Sequence, residues 1–256
     1  MNQGLPILNY HAFNRRRAVT STDPSWFAET LFALREAGYQ PIDIETWIAR
    51  GRPHEPRGFA LTFDDGLRSI LEVAHLLASE QIPVTVFLVT DRVGSTNAWR
   101  GQRVDVTIEP TLDWSEIAQL AALGLRFAAH GLSHIRLDLL NPAQLDRELL
   151  ASRNAVEDHL GSGCPLLAYP YGASSLSVRS AAARHFTASF GTQLAYATAK
   201  QDPHDLARID AYYLRTRLPL MRLIEGRAKN WLRWRGTLRS VREHAPPLVR
   251  LRGAAC

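Results

Sequence analysis

Two adjacent carboxylates, Asp64 and Asp65, follow the apolar run 59–63 and directly precede Gly66. The run is typical of a buried parallel strand, on which successive side chains point to opposite faces. Both acids therefore reach one site only if the backbone bends there, and their like charges shift each other's pKa unless a cation or a proton separates them. Such a pair suits a metal-assisted active site. Taken alone, however, an Asp-Gly step after a strand favours an ordinary turn.

A pair of histidines, His130 and His134, has the spacing of a metal chelate. On a helical turn, residues at this spacing lie on one face, and one carboxylate would complete three protein ligands. The remaining coordination positions would then be open to water and substrate, as in catalytic zinc sites. The alternative is a chance His-x-x-x-His, in which His134 caps a helix or bonds within a loop.

The elements that must position these residues are alternating strands and helices. Such alternation predicts a parallel α/β fold, either a barrel or a doubly wound sheet. The predicted strands cover 5–10, 39–42, 59–63, 83–89, 125–129, 165–169 and 186–190. His11, the Asp64-Asp65 pair, His130 and Tyr171 each follow the end of one of these strands, or lie close to it. The carboxyl ends of parallel barrel strands form one rim, where active sites lie, so we expect these side chains to meet.

Several segments together resemble the polysaccharide deacetylase family, also known as the NodB-homology domain or carbohydrate esterase family 4. The first two motifs are similar to Thr62-Phe63-Asp64-Asp65-Gly66 and to the segment 130–137. Tyr10-His11 and the segments 38–42 and 168–172 resemble the branch that includes poly-N-acetylglucosamine deacetylases. The resemblance covers residues 5 to 210, and it implies a distorted (β/α) barrel of about seven parallel strands, of the NodB-homology type.

The resemblance implies a divalent metal, with Asp65, His130 and His134 as its ligands. Zn²⁺ is the expected ion, with Co²⁺ and Ni²⁺ as alternatives. Such an ion lowers the pKa of bound water toward ~7 and polarises the acetyl carbonyl group.

The resemblance also implies the groups that move protons and hold the substrate. Asp64 would be the general base, and His11 the general acid that protonates the leaving amine. The backbone N–H of Tyr171 would stabilise the developing oxyanion. Tyr171 and Arg208 are the expected substrate-binding residues.

Two positions depart from the family pattern. Gly131 stands where a Ser or Thr is usual, so a hydroxyl is missing there, although Ser133 is nearby. Ala168 stands near the place of an arginine that orients the catalytic aspartate, so another basic residue is expected to do this. Arg208 resembles a late arginine of the same branch. His185 and His204 are not expected in the site, because isolated loop histidines are usually solvated.

The expected activity is hydrolysis of an N-acetyl group on an N-acetylhexosamine-containing glycan or glycan precursor, which releases acetate and a free amine. One alternative is hydrolysis of another amide or an O-acetyl ester, such as a cyclic amide or an O-acetylated glycan. The other is a glycan-binding barrel without catalysis, which the full set of candidate catalytic residues disfavours.

Charge divides the chain into two predicted parts, a deacetylase domain over 1–211 and a basic extension over 212–256. The extension holds eleven Arg and Lys against two Glu, whereas the remainder holds 19 basic and 23 acidic residues. With two cysteines, neither a disulfide framework nor a Cys-rich zinc site is expected.

The extension has two interpretations. It is either a solvated basic helix that packs a few aromatic residues on the barrel, or a segment that contacts an anionic membrane through Trp231, Trp234 and the surrounding arginines. The second would suit a lipid-linked or anionic sugar substrate. No signal peptide is evident, so we expect a cytoplasmic protein, peripheral to the inner face of the membrane under the second interpretation. Nucleic acid is not an expected partner.

Overall fold

A curled parallel sheet organises the chain, for which the computed structural model describes residues 4–102 and 106–244. The strands are β1 (Ile7–Tyr10), β2 (Ala12–Phe13), β3 (Ser21–Thr22), β4 (Gln40–Pro41), β5 (Gly58–Phe63), β6 (Val84–Leu88), β7 (Arg126–Ala129), β8 (Leu166–Ala168), β9 (Ala188–Phe190) and β10 (Ile209–Asp210). The α-helices are α1 (Pro24–Glu36), α2 (Ile44–Ala49), α3 (Leu71–Ser79), α4 (Trp114–Ala122), α5 (Pro142–Leu160), α6 (Leu176–Ala182), α7 (Arg217–Ile224) and α8 (Ala228–His244).

The main sheet has the order β10-β1-β5-β6-β7-β8-β9, with β4 paired to β5 outside this path. All of these pairs are parallel, and β2 and β3 form a separate parallel pair. The predicted distorted (β/α) barrel of the NodB type is thereby confirmed. Each predicted strand has a counterpart. For all of them except β4, whose Gln40 and Pro41 are not buried, an apolar run between turn residues marks a buried parallel strand.

The sequence does not predict β10, a strand of two residues at the edge of the sheet. Its Ile209 pairs with Leu8 of β1, while Leu206 just before it bridges to Phe190 of β9. The segment 206–210 therefore contacts both outer strands and draws the sheet into a curl. Arg208 lies between these two contacts, so this short segment decides where its side chain points.

Aromatic packing fixes the ends of β1 and β5 against each other. Phe63, the last residue of β5, has its ring centroid 4.9 Å from that of Phe13 and 5.9 Å from that of Tyr10. Both pairs meet edge to face, a geometry worth ~0.5–1.5 kcal/mol beyond the area that it buries. The next residue along the chain is Asp64, so this cluster anchors the strand end that carries the first acid.

The long helix α5 has clear start and stop signals. The Asn141 side chain accepts a hydrogen bond from the Gln144 N–H at 3.0 Å, Pro142 occupies the first turn, and Gly161 ends the helix with φ of 63°. The helix packs against β7, the strand that leads to His130.

The described part of the extension predicted from residue 212 packs on the barrel, as in the first of its two interpretations. Leu214, Leu223 and Leu232 are buried in the common core. The Trp26 indole N–H donates to the Leu214 carbonyl at 3.0 Å, and the Tyr39 hydroxyl donates to that of Leu223 at 3.2 Å. Residues 245–256 of the extension lie outside the described residues. In the part of the chain that the structure describes, no helix has the length and apolar character to cross a bilayer.

Candidate metal centre and active site

Asp65, His130 and His134 converge at the carboxyl ends of β5 and β7, and all three are buried. Asp65 Oδ1 lies 3.5 Å from His130 Nε2 and 3.3 Å from His134 Nε2. Two ligands that each lie ~2.0–2.2 Å from an ion in tetrahedral geometry are ~3.3–3.6 Å apart. The donor set and its spacing therefore fit a divalent ion such as Zn²⁺.

Hydrogen bonding at the far side of His130 supports this fit. Its Nδ1 lies 2.8 Å from the Ala168 carbonyl oxygen, which requires a proton on Nδ1 and leaves Nε2, on the Asp65 side, as the nitrogen that would bind an ion. Ligating histidines are commonly held in this way by a backbone carbonyl group. Ala168 thus contributes its carbonyl group to the site.

The two histidines meet through a tight turn, and the helical turn expected from their spacing is wrong. Gly131 has φ of 74° and His134 has φ of 56°, whereas an α-helix needs negative φ at every residue. Asp65 and Tyr171 also have positive φ, at 73° and 59°. Left-handed conformations in such residues are costly and cluster at functional sites. The backbone bend required at the two acids is therefore present, at Asp65.

Asp64 lies next to the three metal-ligand candidates, in a buried network of polar groups. Arg208 donates from Nη1 to Asp64 Oδ1 at 2.7 Å and from Nη2 to Oδ2 at 2.9 Å. Asn9 Nδ2 donates to Oδ2 at 3.0 Å, and the Asn9 amide oxygen accepts from Arg208 and from the Thr62 hydroxyl. Because both carboxylate oxygens are bonded, the orientation of Asp64 is fixed.

The substrate-binding role predicted for Arg208 does not match its position. Its side chain is 1% exposed, and its guanidinium group packs over the rings of Phe87 and Phe190. It also donates to the Thr62 hydroxyl at 3.3 Å and to the Gly191 carbonyl at 3.1 Å, so the guanidinium group faces the protein interior. A sugar cannot reach it there. Arg208 instead orients Asp64, which is the function that the family pattern gives to an arginine near position 168.

Charge within the site keeps both acids ionised. Burial raises the pKa of Asp64, but the charges of Arg208, His130 and His11 outweigh it, and the pKa lies below its ordinary value. Burial likewise raises the pKa of Asp65, yet hydrogen bonds from His130 and His134 hold it well below the ordinary value. Burial lowers the pKa of His130, but the carboxylates of Asp64 and Asp65 raise it further than burial lowers it.

His11 lies beside Asp64 at the end of β1. Its Nε2 is 3.9 Å from Asp64 Oδ2, and its side chain is 20% exposed against 5% for Asp64. The imidazole therefore faces the open side of the site, where a leaving group could meet it.

Tyr171 lies beside His134, in the turn that follows β8. Its ring packs edge-on against that of His134, with 4.6 Å between centroids. The N–H groups of Gly172 and Ala173 donate within the turn, to the carbonyl groups of Tyr169 and Pro170. The N–H of Tyr171 is not needed for this turn.

Sequence reasoning missed two residues at the site. Asn9 is a buried amide within the otherwise apolar run 5–10, and that interruption was the available signal. Trp99 comes from the loop 91–110, whose length indicates a functional segment without singling out this residue, and its ring centroid lies 4.0 Å from that of His134. Asn97 joins the two arms of this loop by bonds to Thr107 and Glu109.

The two excluded histidines lie elsewhere. His185 Nε2 contacts the carboxylate of Asp146 at 2.8 Å, and His204 Nδ1 lies 3.3 Å from the Ser189 hydroxyl.

Comparison with known proteins agrees with this geometry. The family model for polysaccharide deacetylase matches residues 51–188. A Bacillus subtilis (strain 168) protein named "Putative polysaccharide deacetylase YxkH" is 21% identical over 172 residues, which cover 66% of this chain and 57% of that protein.

Two solved structures share the fold. IcaB from Ammonifex degensii superposes with a TM-score of 0.73 at 21% identity, over 87% of this chain and 96% of that one. The Streptococcus pyogenes deacetylase PplD, solved in complex with acetate, gives 0.70 at 20% identity, over 82% of this chain and 93% of that one. Since the family model spans more than half of the sequence and its motifs form the buried site described above, the chain belongs to the polysaccharide deacetylase family.

Proposed function

We propose that this chain is a metal-dependent N-deacetylase that acts on an N-acetylhexosamine unit of a glycan or glycan precursor. The observation that carries the proposal is the division of two adjacent acids: Asp65 faces two histidines, while Asp64 is held by Arg208. A deacetylase needs both arrangements, one to bind an electrophilic ion and the other to accept a proton. Family membership supports an acetylated glycan as the class of substrate.

Asp65, His130 and His134 would hold the ion. When bound, a divalent metal supplies a water of lowered pKa and an electrophile for the acetyl oxygen. The buried setting of the three ligands strengthens the field that they place around the ion.

Asp64 would accept the proton of the attacking water. A base must be ionised and correctly aimed, and Arg208 and Asn9 provide both conditions by bonding its two oxygens. Because Arg208 approaches from the interior, the outer side of the carboxylate stays available to water.

Tyr171 and His11 would act on the acetyl group and the leaving group. The backbone N–H of Tyr171 would donate to the oxygen that gains negative charge as the tetrahedral intermediate forms. His11, protonated, would donate to the departing nitrogen, because an amine anion is too basic to leave unaided. The placement of an imidazole next to the base favours an N-acetyl substrate over an O-acetyl ester, whose alkoxide leaves more easily.

Release of acetate from N-acetylglucosamine oligomers tests the proposal. The purified chain should release acetate, a chelator should abolish the release, and added Zn²⁺ or Co²⁺ should restore it. Acetylated xylan and a cyclic amide, tested in parallel, report the alternative hydrolase activities. Chelator-sensitive turnover of either one without turnover of the oligomers would replace the N-acetyl assignment. No release from any substrate, by a chain that contains metal, would leave the non-catalytic glycan-binding barrel as the better explanation.

A second proposal is that α8 contacts an anionic membrane, where a lipid-linked sugar would be presented. Three apolar residues on one helix face are exposed, Trp234 by 57%, Leu238 by 44% and Val241 by 63%, and arginines flank them. This pattern favours an interfacial helix. A Trp234→Ser, Leu238→Ser double variant should lose flotation with anionic vesicles, whereas Leu218→Ser on α7 should not. Equal flotation of all forms would reject contact through α8. Failure of the unmodified chain to float would reject membrane contact itself and, with it, the predicted location at the inner face of the membrane.

A further inference from the structure

Glu148 of α5 is a buried carboxylate that the mechanism above does not use. It lies on the inward face of the helix, next to the core residues Leu145 and Leu149, and is 8% exposed. A buried charge is costly unless it is paired or fully hydrogen-bonded. Its position therefore needs an explanation, and apolar packing does not give one.

Every hydrogen bond described for the Glu148 carboxylate comes from the turn between the two histidine ligands. Its Oε2 accepts from the N–H groups of Leu132 at 2.9 Å and Ser133 at 3.0 Å. Its Oε1 accepts from the Ser133 hydroxyl at 2.6 Å. The three donors are uncharged, so this carboxylate binds a backbone turn rather than a cation.

The same turn is also held from its other side. The carbonyl group of Gly131 accepts from the Thr90 N–H at 3.4 Å, and that of Leu132 accepts from the Asp91 N–H at 3.0 Å. Glu148 fixes the N–H groups and the segment 90–91 fixes the carbonyl groups. The peptide planes between His130 and His134 are thus constrained in both directions.

Such constraint is necessary because the turn is strained. His134 has φ of 56°, a conformation that costs a residue with a side chain ~1–2 kcal/mol. In a free loop this residue would relax to negative φ, and its imidazole would leave Asp65. The bonds to Glu148 hold the preceding residue, Ser133, and so offset that tendency.

Backbone conformation and the nearby Pro170 account for the departure at Gly131. A β-carbon there would lie 3.3 Å from Pro170 Cγ and 3.6 Å from Glu148 Oε2, at a φ of 74° that favours glycine. The hydroxyl missing at residue 131 has a counterpart two residues later, where the Ser133 hydroxyl bonds to Glu148.

We infer that Glu148 is a positioning residue of the metal centre, which sets the separation of His130 and His134 through the turn that joins them. This inference rests on the proposed function, since it presupposes that the histidines bind metal. Groups that orient metal ligands from behind commonly contribute about ten- to a hundredfold to metal affinity.

Metal binding by the apoprotein tests the inference independently of catalysis. Co²⁺ and Zn²⁺ affinities are measured by competition with a chromophoric chelator, and the Co²⁺ absorption spectrum reports the coordination geometry. Glu148→Leu should weaken affinity about ten- to a hundredfold and alter the spectrum. Glu148→Gln should stay close to the unmodified chain, because its amide oxygen can accept from both N–H groups while its NH₂ donates to the Ser133 hydroxyl. Ser133→Ala should weaken affinity less than Glu148→Leu.

Leu149→Ala is the matched control for stability. Leu149 is the next residue and is fully buried, and its aliphatic side chain cannot hydrogen-bond to the turn. This variant should lower the melting temperature without changing metal affinity. If Glu148→Leu does not fold, weakened metal affinity in Ser133→Ala with near-normal affinity in Glu148→Gln still supports the positioning role, and unchanged affinity in Ser133→Ala rejects it.

Unchanged affinity and spectrum in Ser133→Ala and Glu148→Leu, or an equal loss in Leu149→Ala, would overturn the positioning role while leaving the metal centre intact. Failure of the unmodified chain to bind either ion would instead reject the proposed metal centre itself.

Discussion

Arg208 and Asp64 form a bidentate ion pair inside the barrel, with nitrogen–oxygen distances of 2.7 and 2.9 Å and side chains that are 1% and 5% exposed. Removal of one partner would leave a buried charge without compensation. Arg208→Met should therefore lower the free energy of unfolding by about 3–5 kcal/mol, measured by urea denaturation of the metal-free chain.

Arg68→Met is the control for this variant. Arg68 pairs with Glu116, but its side chain is 57% exposed, so its removal should cost less than ~1 kcal/mol. The double variant Arg208→Met, Asp64→Asn should recover part of the loss, because it buries no unpaired charge. Similar unfolding curves for Arg208→Met and Arg68→Met would show that the buried pair does not stabilise the fold.

The lowered pKa of Asp64 predicts a particular dependence of stability on pH. In the unfolded chain this group titrates near ~3.9, and in the folded chain below that value. The folded chain thus binds fewer protons than the unfolded chain between the two pKa values, and stability falls as pH falls through that range. As pH falls, the free energy of unfolding of the metal-free unmodified chain should decrease more steeply than that of metal-free Asp64→Asn. The difference in slope should be up to ~1.4 kcal/mol per pH unit.

Urea denaturation of both forms from pH 5 down to the acid transition gives this comparison. If the free energy of unfolding changed with pH by the same amount in both forms, a lowered pKa at Asp64 would be contradicted. Asp65 is present in both forms, so its own titration contributes equally to the two curves.

Substitutions should distinguish the proposed base, Asp64, from the proposed metal ligands. Asp64→Asn should lower kcat/KM by about 10²–10⁴ and retain stoichiometric metal, because it removes the base and no ligand. His130→Ala should lose both activity and metal, as measured by elemental analysis after dialysis. Asp158→Asn, on the exposed face of α5, is the control and should match the unmodified chain. Full activity of Asp64→Asn would assign the base elsewhere.

The acid role of His11 can be separated from a general effect on the site by the choice of leaving group. His11→Ala should lower kcat/KM for an N-acetylated sugar by about 10²–10⁴, because the departing amine needs a proton. With an aryl acetate ester the loss should be much smaller, since a phenolate leaves without protonation. Equal losses on both substrates would mean that His11 assists an earlier step or the structure of the site.

The parts of this site that could be predicted from the sequence are those placed by long apolar strands. Phe63 ends a strand of six buried residues, so the position of Asp64 and Asp65 at the rim follows from a pattern that is visible over that length. His130 follows β7 in the same way. Parallel topology then requires these strand ends to meet, because they form one rim.

The parts that could not be predicted depend on short or irregular backbone. Arg208 reaches Asp64 from a segment whose strand has two residues, too few to show any periodicity. His134 meets His130 through positive φ, which residue spacing does not reveal. Glu148 lies within a helix among other polar residues, where a carboxylate would be assigned to the surface, and its burial depends on a turn made elsewhere in the chain.

The family match, confined to residues 51–188, has a consequence for how this chemistry diverges among relatives. That central segment contains the three proposed metal ligands, the proposed base and Glu148, whereas His11, Asn9 and Arg208 come from the flanks. The residues proposed to capture the ion and those proposed to assist the leaving group thus come from separate stretches of chain. With the roles proposed above, two proteins that share the central segment can bind the same ion while their flanks suit different bonds, so likeness in that segment alone bears on the metal and not on the scissile group.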